Sequence, residues 1–279
     1  NNVKIAIVDS GISDSHPDLS GKVAGRKVFA NITGSINPHG TFVAGLAAAK
    51  GNNSVGIAGM AYNSTLLDAT ALGSDGSGAA SGIADGVRWA ADSGAKVINL
   101  SLGSIFYMAA LEDAIDYAWS KGAVIVAAAG NSGNSTKFYP AACRNVISVA
   151  ATDRNNEKAS FSNYGSWVNV AAPGADVFST SLYSTAVDGY GLGDGTSFAS
   201  PIVAGLAAMV WSSGVCPDNA CVRRRIENFS DNIPGTGRFW TYGMINAYRA
   251  LTAQNPTSMT AVVSASDNAL LTRVEFYVD

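Results

Sequence analysis

The chain has 279 residues, of which 47% are hydrophobic and 14% are charged, and its formal net charge at pH 7 is -3. This composition excludes a disordered chain and is typical of one large α/β domain with a buried core. The small negative charge gives no electrostatic reason to expect a nucleic-acid partner, and no uninterrupted apolar run reaches the roughly 18 residues that a membrane span needs. We therefore expect neither nucleic acid nor a membrane as a partner.

Predicted strands and helices alternate along the chain. The first strand, Val3–Val8, ends at Asp9, and functional groups of parallel sheets gather at that end of their strands. Further strands are predicted over 24–29, 65–72, 95–100, 123–128, 145–150 and 167–171, and helices over 39–49, 78–92, 108–120, from 197 onward, 219–228 and 245–253. This alternation predicts an α/β fold with three layers, a mostly parallel central sheet and helices on both faces.

Ser197 stands in a glycine-led turn at the start of a helix that is apolar on every face. The first backbone N–H groups of a helix carry partial positive charge, which favours negative charge developing beside this serine. The alternative is that Thr196 or Ser197 only caps the helix. Partners elsewhere in the chain decide between the two interpretations.

A nucleophilic serine needs a base within hydrogen-bond reach and a third group that orients the base. The chain has only two histidines. We favour His39, which opens an apolar helix, over His16, which we place in a surface turn. Asp9 at the end of the first strand suits the orienting carboxylate, and Asn131, which follows the strand 123–128, can donate an amide N–H to an oxyanion beside Ser197.

Four short segments carry these residues in the order Asp, His, Asn, Ser, namely 8–11, 39–41, 128–131 and 195–197. By these segments the chain resembles the subtilases, and within them the thermitase-like secreted enzymes, from about Val3 to Leu251. The resemblance implies a subtilisin-like fold in which Asp9, His39 and Ser197 form a catalytic triad and Asn131 is the oxyanion donor. The implied activity is that of a serine endopeptidase that forms an acyl-enzyme and uses no catalytic metal.

The resemblance also implies a groove in which an extended peptide substrate adds as a strand. Without the family, the same stretches are ordinary glycine-rich loops, and that alternative stays open. Phe138 matches the floor of the pocket for the P1 residue, which precedes the scissile bond, so a preference for small or medium P1 residues is predicted. A Phe138 ring turned into the core is the alternative. The implied substrate-binding residues are Leu72, Gly73, Gly76, Gly78, Ser101, Leu102, Gly103, Ala128, Gly130 and Phe138.

The segment 52–57 resembles the loop that wraps the tight calcium site of the family. By this resemblance Asp18, Asn53, Val55 and Ile57 hold a structural Ca²⁺ through oxygen atoms. The family usually adds one ligand from a segment upstream of the first strand, and the residues before Val3 do not supply it.

Cys216 and Cys221 flank a turn-prone stretch and can close a small disulfide loop, whereas two reduced thiols are the alternative. Cys143 is unpaired in either case. A disulfide implies an oxidising compartment. Together with the resemblance, this predicts a secreted, extracellular monomer that matures from a precursor with its own propeptide and acts on proteins or peptides.

A domain boundary is predicted near Asn255, which leaves residues 1–254 as the subtilase catalytic domain. Residues 255–279 are then a linker and the strand-like start of a truncated C-terminal module, since Val274–Asp279 resembles the opening strands of immunoglobulin-like modules. A tail strand packed on the catalytic domain is the alternative.

Two other classes of protein compete with a subtilase. An inactive scaffold of the same fold is the main rival, although all four catalytic elements are intact. An α/β-hydrolase esterase is disfavoured because Gly195–Ala199 is not Gly-x-Ser-x-Gly and the order of the triad differs. A Rossmann-type enzyme is disfavoured because no Gly-x-Gly-x-x-Gly turn follows the first strand.

Overall fold

The computed structural model describes residues 3–183 and 186–253. Within these ranges lie ten strands and six helices. The strands are β1 Lys4–Asp9, β2 Val23–Val28, β3 Thr65–Thr70, β4 Val97–Leu100, β5 Val124–Ala128, β6 Val146–Thr152, β7 Val170–Pro173, β8 Val177–Thr180, β9 Tyr190–Gly193 and β10 Gly243–Met244. The helices are α1 His39–Ala48, α2 Ala80–Asp92, α3 Ala109–Ser120, α4 Thr196–Ser213, α5 Asn219–Asn228 and α6 Ala247–Thr252.

Eight of the strands form one sheet in the order β10-β7-β6-β5-β4-β1-β3-β2, and every neighbouring pair is parallel. β1 lies inside the sheet between β3 and β4. Its side chains alternate between two cores. Ile5 and Ile7 belong to the core that includes residues of α1, α4, α5 and α6, and Ala6 and Val8 belong to the core that includes residues of α2 and α3. The predicted three-layer α/β fold with a mostly parallel sheet is confirmed.

Helix α4 runs through the larger of the two cores. Within the described ranges it is the single helix with the length and apolar composition to cross a membrane, but 67% of it is buried inside the domain. Val203, Leu206 and Val210 are fully buried. The apolar character of α4 is therefore that of a core helix.

Two features of the fold were not predicted from the sequence. β8 and β9 pair as an antiparallel hairpin apart from the main sheet, and the two residues of β10 extend the sheet beside β7. Strand β9 was not predicted because it contains Gly191 and Gly193, and glycine is depleted in strands.

The N-cap of α4 also differs from the alternative in which Thr196 or Ser197 caps this helix. Gly195 is the N-cap of α4, so Thr196 and Ser197 already lie inside the helix.

Cys216 and Cys221 are joined by a disulfide with their Cα atoms 5.4 Å apart. The bond closes the turn that leads into α5, where the Asp218 side chain accepts the Cys221 N–H at 2.7 Å. Cys143 is a free, partly buried thiol. The predicted linker and module over 255–279 lie outside the described residues.

Candidate active site

The order of the strands brings the side chains proposed for catalysis to one edge of the sheet. β5, β4 and β1 are neighbours, and the residues at or just after their carboxyl ends are Asn131, Ser101 and Asp9. Helices α1 and α4 begin at the same edge, with His39 and the Thr196–Ser197 pair in their first turns.

Asp9 and His39 form a close pair. The Nδ1 atom of His39 lies 2.8 Å from Asp9 Oδ1 and 3.0 Å from Oδ2. Asp9 is almost completely buried, and its Oδ1 also accepts the Ser10 N–H at 2.7 Å. The Ser10 hydroxyl accepts the Gly40 N–H at 3.0 Å, which ties the strand end to the first turn of α1. Because Nδ1 is paired with Asp9, the other ring nitrogen of His39, Nε2, is the one that can take part in proton transfer.

The carboxylate also sets the charge state of the imidazole. Burial lowers the pKa of His39, but the negative charge of Asp9 and its hydrogen bond outweigh burial, so the pKa is raised above its ordinary value. The imidazolium that forms when His39 takes up a proton is therefore stabilised at this position.

Ser197 is held against β4 by two hydrogen bonds with Ser101. Pro201 has no N–H, so the Ser197 carbonyl lacks its usual helical partner four residues on. The Ser101 hydroxyl donates to that carbonyl at 2.7 Å, and the Ser197 hydroxyl donates to the Ser101 carbonyl at 3.2 Å. No hydrogen bond between the Ser197 hydroxyl and His39 occurs among the described residues. The Ser197 hydroxyl is directed to the Ser101 carbonyl instead.

The Asn131 side chain is oriented by Thr196. Its Oδ1 accepts the Thr196 N–H at 2.8 Å and the Thr196 hydroxyl at 2.9 Å. The same hydroxyl accepts the Gly130 N–H at 3.0 Å. With Oδ1 fixed, the amide nitrogen of Asn131 is available to an acceptor beside Ser197.

One residue that supports the site, Asn99, was missed from the sequence. The buried Asn99 side chain accepts the Ser200 hydroxyl at 2.7 Å and donates to the Ser101 hydroxyl at 3.0 Å, so it joins β4 to α4 below Ser197. Asn99 is the one polar residue in the strand Val97–Leu100. A lone amide in a buried strand is the signal that could have found it, since buried polar groups require partners.

Most of the proposed substrate-binding residues line two cavities at this edge. A groove of about 620 Å³ is lined by Leu72, Gly76, Gly78, Ser101, Leu102 and Gly103 together with His39. A smaller cavity of about 250 Å³ is lined by Ala128, Gly130 and Phe138 together with Asn131 and Ser197. Gly73 lines neither, and its N–H donates to the Ser77 carbonyl at 2.7 Å.

The Phe138 ring stands between the two walls of the smaller cavity. A Cβ atom placed on Gly103 would lie 2.6 Å from Cε1 of this ring, and one on Gly130 would lie 3.0 Å from its Cγ. Glycine is therefore required on both walls, and at Gly130 the φ of 97° also favours it. The ring points into the cavity and away from the core.

The prediction that His16 lies in a surface turn is wrong, because His16 is only 4% exposed. Its Nε2 bonds the Gly189 carbonyl at 2.8 Å, and its Nδ1 accepts the Asp18 N–H at 3.2 Å. The turn is covered by a segment 173 residues away in sequence. Both ring nitrogens are occupied, so His16 has no nitrogen free to act as a base.

Asp18 lies where the sequence predicts a calcium ligand. Its carboxylate is completely buried and forms no ion pair among residues 3–183 and 186–253. It accepts hydrogen bonds from the Asn53 amide at 2.7 Å, from the Ile57 N–H at 2.9 Å and from the Tyr190 hydroxyl at 2.9 Å. A buried charge without a counter-ion is costly, so this carboxylate beside the 53–57 loop fits a cation that takes oxygen ligands. The same ranges hold no cluster of three or more His, Cys, Asp or Glu side chains suited to a metal.

The site has the features of a serine hydrolase, namely an Asp–His pair and a serine in the first turn of a helix, both placed at one edge of an α/β sheet. The model of the subtilase family matches residues 1–243, and the chain belongs to this family, whose members are serine endopeptidases. The family expected from the four ordered segments is thus confirmed.

Named relatives agree with this assignment. The chain is 51% identical over 252 residues to a thermophilic serine proteinase of Bacillus sp. strain AK1, covering 89% of this chain but only 61% of the relative. It is 49% identical over 251 residues to thermitase of Thermoactinomyces vulgaris, covering 89% of this chain and 88% of thermitase. The fold is similar to that of a protease from Pseudoalteromonas arctica with a TM-score of 0.79 and 31% identity, over 90% of this chain and 89% of that one.

Proposed function

We propose that this chain cleaves internal peptide bonds through an acyl-enzyme formed on Ser197. The observation that carries the proposal is the Asp9–His39 pair, which leaves the second imidazole nitrogen without a partner among residues 3–183 and 186–253, at the edge where α4 presents Ser197. Membership in the subtilase family supports the same chemistry.

The steps follow from the positions of the side chains. His39 removes the proton of the Ser197 hydroxyl while the oxygen attacks the scissile carbonyl, and Asp9 stabilises the imidazolium that results. The Asn131 amide and the Ser197 N–H donate to the oxyanion of the tetrahedral intermediate. His39 then gives its proton to the leaving amine. Water, deprotonated in turn by His39, attacks the acyl group, and His39 returns that proton to the Ser197 oxygen as the acid product leaves.

The test is cleavage of a peptide that is blocked at both ends. We expect the wild type to cut it internally and Ser197→Ala to lose about a millionfold in kcat, the loss known for the equivalent change in subtilisin, a member of the same family. Ser20→Ala, at an exposed serine, is the matched control and keeps full activity. Equal cleavage by the wild type and Ser197→Ala would rule the proposal out.

We further infer that the P1 pocket takes small or medium side chains. The Phe138 ring stands between Gly103 and Gly130 and occupies the depth that a large P1 side chain needs. The peptide upstream of P1 lies in the larger groove and pairs with the backbone of Ser101–Gly103.

A structural Ca²⁺ at Asp18 is part of the same proposal. Asp18 supplies a carboxylate and Asn53 an amide oxygen after rotation of its side chain, and the Val55 and Ile57 carbonyls complete the loop contribution. The ion neutralises the buried carboxylate and holds the loop against β9. It has no part in bond cleavage.

Export is proposed on two grounds. The Cys216–Cys221 disulfide suits an oxidising compartment, and the family resemblance implies a secreted enzyme with a propeptide. The working form is proposed to be an extracellular monomer whose partners are protein or peptide substrates.

A further inference from the structure

The aromatic ring of Phe198, the residue after Ser197, lies beside the imidazole of His39. The two ring centroids are 5.7 Å apart, and the ring planes are inclined by 36°, which is closer to a stacked than to a perpendicular arrangement. The faces of an aromatic ring carry partial negative charge, which attracts a cation within about 6 Å of the ring centroid. The imidazole of His39 lies within that distance, so its protonated form is subject to this attraction.

Phe42 and Gly193 fix the position of the Phe198 ring. The ring of Phe42, which is fully buried in α1, has its centroid 4.2 Å from that of Phe198. A Cβ atom placed on Gly193 would lie 2.6 Å from Cε2 of Phe198 and 3.0 Å from Cζ of Phe42, so a glycine in β9 makes room for both rings. The Phe198 ring is therefore already in place beside His39 before the imidazole takes up a proton.

Asp9 is the charged side chain that acts on the pKa of His39. The elements packed closely against α1 are β1, β3, β8 and α4. β8, α4 and α1 itself contain no Asp, Glu, Lys or Arg. Lys4 lies at the opposite end of β1, and Asp68 on β3 is paired with Arg26 at 2.7 Å.

Tyr183 is a neutral titratable group at the same end of α1. It lines the groove together with His39. Burial, followed by the negative charge of Asp9, raises the pKa of the Tyr183 hydroxyl, so this hydroxyl stays protonated. Among residues 3–183 and 186–253, the aromatic ring in contact with His39 is that of Phe198.

We propose that the Phe198 ring stabilises the protonated form of His39 through a cation–π contact. The proposal rests on the proposed function, in which His39 is the base that takes the proton of Ser197. Phe198 is a positioning residue, because it acts on the base and not on the substrate. An aliphatic side chain at the same place would exclude water from the imidazole without attracting its charge, and exclusion of water alone lowers the pKa of a histidine.

The experiment replaces Phe198 by mono-, di- and trifluorinated phenylalanine, which keep the shape of the ring while they withdraw negative charge from its faces. The pKa of His39 is measured by NMR titration of the imidazole Cε1–H signals in the Ser197→Ala variant, so the measurement does not depend on catalysis. The chain has two histidines, and His39→Ala identifies which signal belongs to His39. We expect the pKa of His39 to fall with each added fluorine, by about 0.5 pH units in total, as for a cation–π contact at a partly exposed site.

The matched control places the same fluorinated residues at Phe178, which is half-exposed on β8, and leaves the pKa of His39 unchanged. Phe198→Leu keeps an apolar side chain beside the imidazole and lowers the pKa of His39. With Ser197 present, the acid midpoint of kcat/KM for a blocked peptide falls in the same order as the NMR values.

A pKa of His39 that stays constant across the fluorinated series at position 198 would overturn the proposal. A pKa that rises in Phe198→Leu would overturn it as well, because the ring would then act only by excluding water. The NMR trend in a chain that cuts no peptide would support the contact and contradict the proposed function. Cleavage without the NMR trend would contradict the contact alone.

Discussion

The Asp9 carboxylate controls both the orientation and the charge state of His39. It fixes Nδ1 at 2.8 Å and raises the pKa of the imidazole although burial acts in the opposite direction. Ser101 has a comparable effect on Ser197, because its hydroxyl supplies the hydrogen bond that Pro201, which has no N–H, cannot donate to the Ser197 carbonyl. Single side chains therefore position both the proposed base, His39, and the proposed nucleophile, Ser197.

At the same scale, the proposed role of Phe138 is to limit the depth of the P1 pocket. We expect the wild type to prefer P1 Ala over P1 Phe, and Phe138→Gly to raise kcat/KM for P1 Phe by about ten- to hundredfold, because the ring no longer excludes a large side chain. Profiling a peptide series that differs only at P1 measures this change.

The P1 Ala peptide serves as the internal standard in that series. Phe178→Gly, at a half-exposed phenylalanine in β8, is the matched control and leaves the profile unchanged. A wild-type profile led by P1 Phe or Tyr would show that the ring does not limit the pocket.

At the scale of elements, the sequence predicted the central strands and the buried helices α1 and α4 closely because each is a nearly continuous run of apolar or small residues. It predicted the positions of Asp9, His39 and Ser197 for the same reason. Asp9 directly follows an apolar run, and His39 and Ser197 each stand at the start of one. It did not predict the β8–β9 hairpin or the burial of His16, because both depend on contacts between segments far apart in the chain. The direction of the Phe138 ring likewise depends on two glycines in other loops.

The loop 53–57 and β9 meet at Asp18, so the proposed Ca²⁺ stabilises the contact between two elements. We expect chelation with EDTA to lower the melting temperature. Removing an ion present at one hundred times its Kd costs about 2.7 kcal/mol of unfolding free energy, which is a shift of roughly 5 to 10 °C for a domain of this size. Differential scanning calorimetry with and without added Ca²⁺ measures the shift.

Asp18→Asn removes the carboxylate and makes the melting temperature insensitive to EDTA. The control variant Asp85→Asn changes an exposed aspartate on α2 and keeps the full response. A wild-type melting temperature that neither EDTA nor Ca²⁺ changes would contradict the calcium site.

At the scale of the whole molecule, the parallel sheet positions the residues of the site. The adjacency of β5, β4 and β1 brings residues from positions 9, 101 and 131 together, and two buried helices bring positions 39 and 197 to the same edge. The groove lined by His39 and Ser101 lies at that edge, so the proposed substrate-binding and catalytic residues share one face of the molecule.

Asp9, His39 and Ser197 are proposed to act as one unit, and the pH dependence of inactivation by a fluorophosphonate tests this cooperation most directly. Protonated His39 cannot accept the serine proton, so the rate falls as the pH drops through the pKa of His39. We predict one adduct, mapped to Ser197 by mass spectrometry, and an acid midpoint above the ordinary histidine value of about 6.5. In Asp9→Asn the midpoint moves down and the rate falls by about ten thousandfold. An adduct elsewhere in the chain, or a rate that does not change with pH in the wild type, would contradict the account.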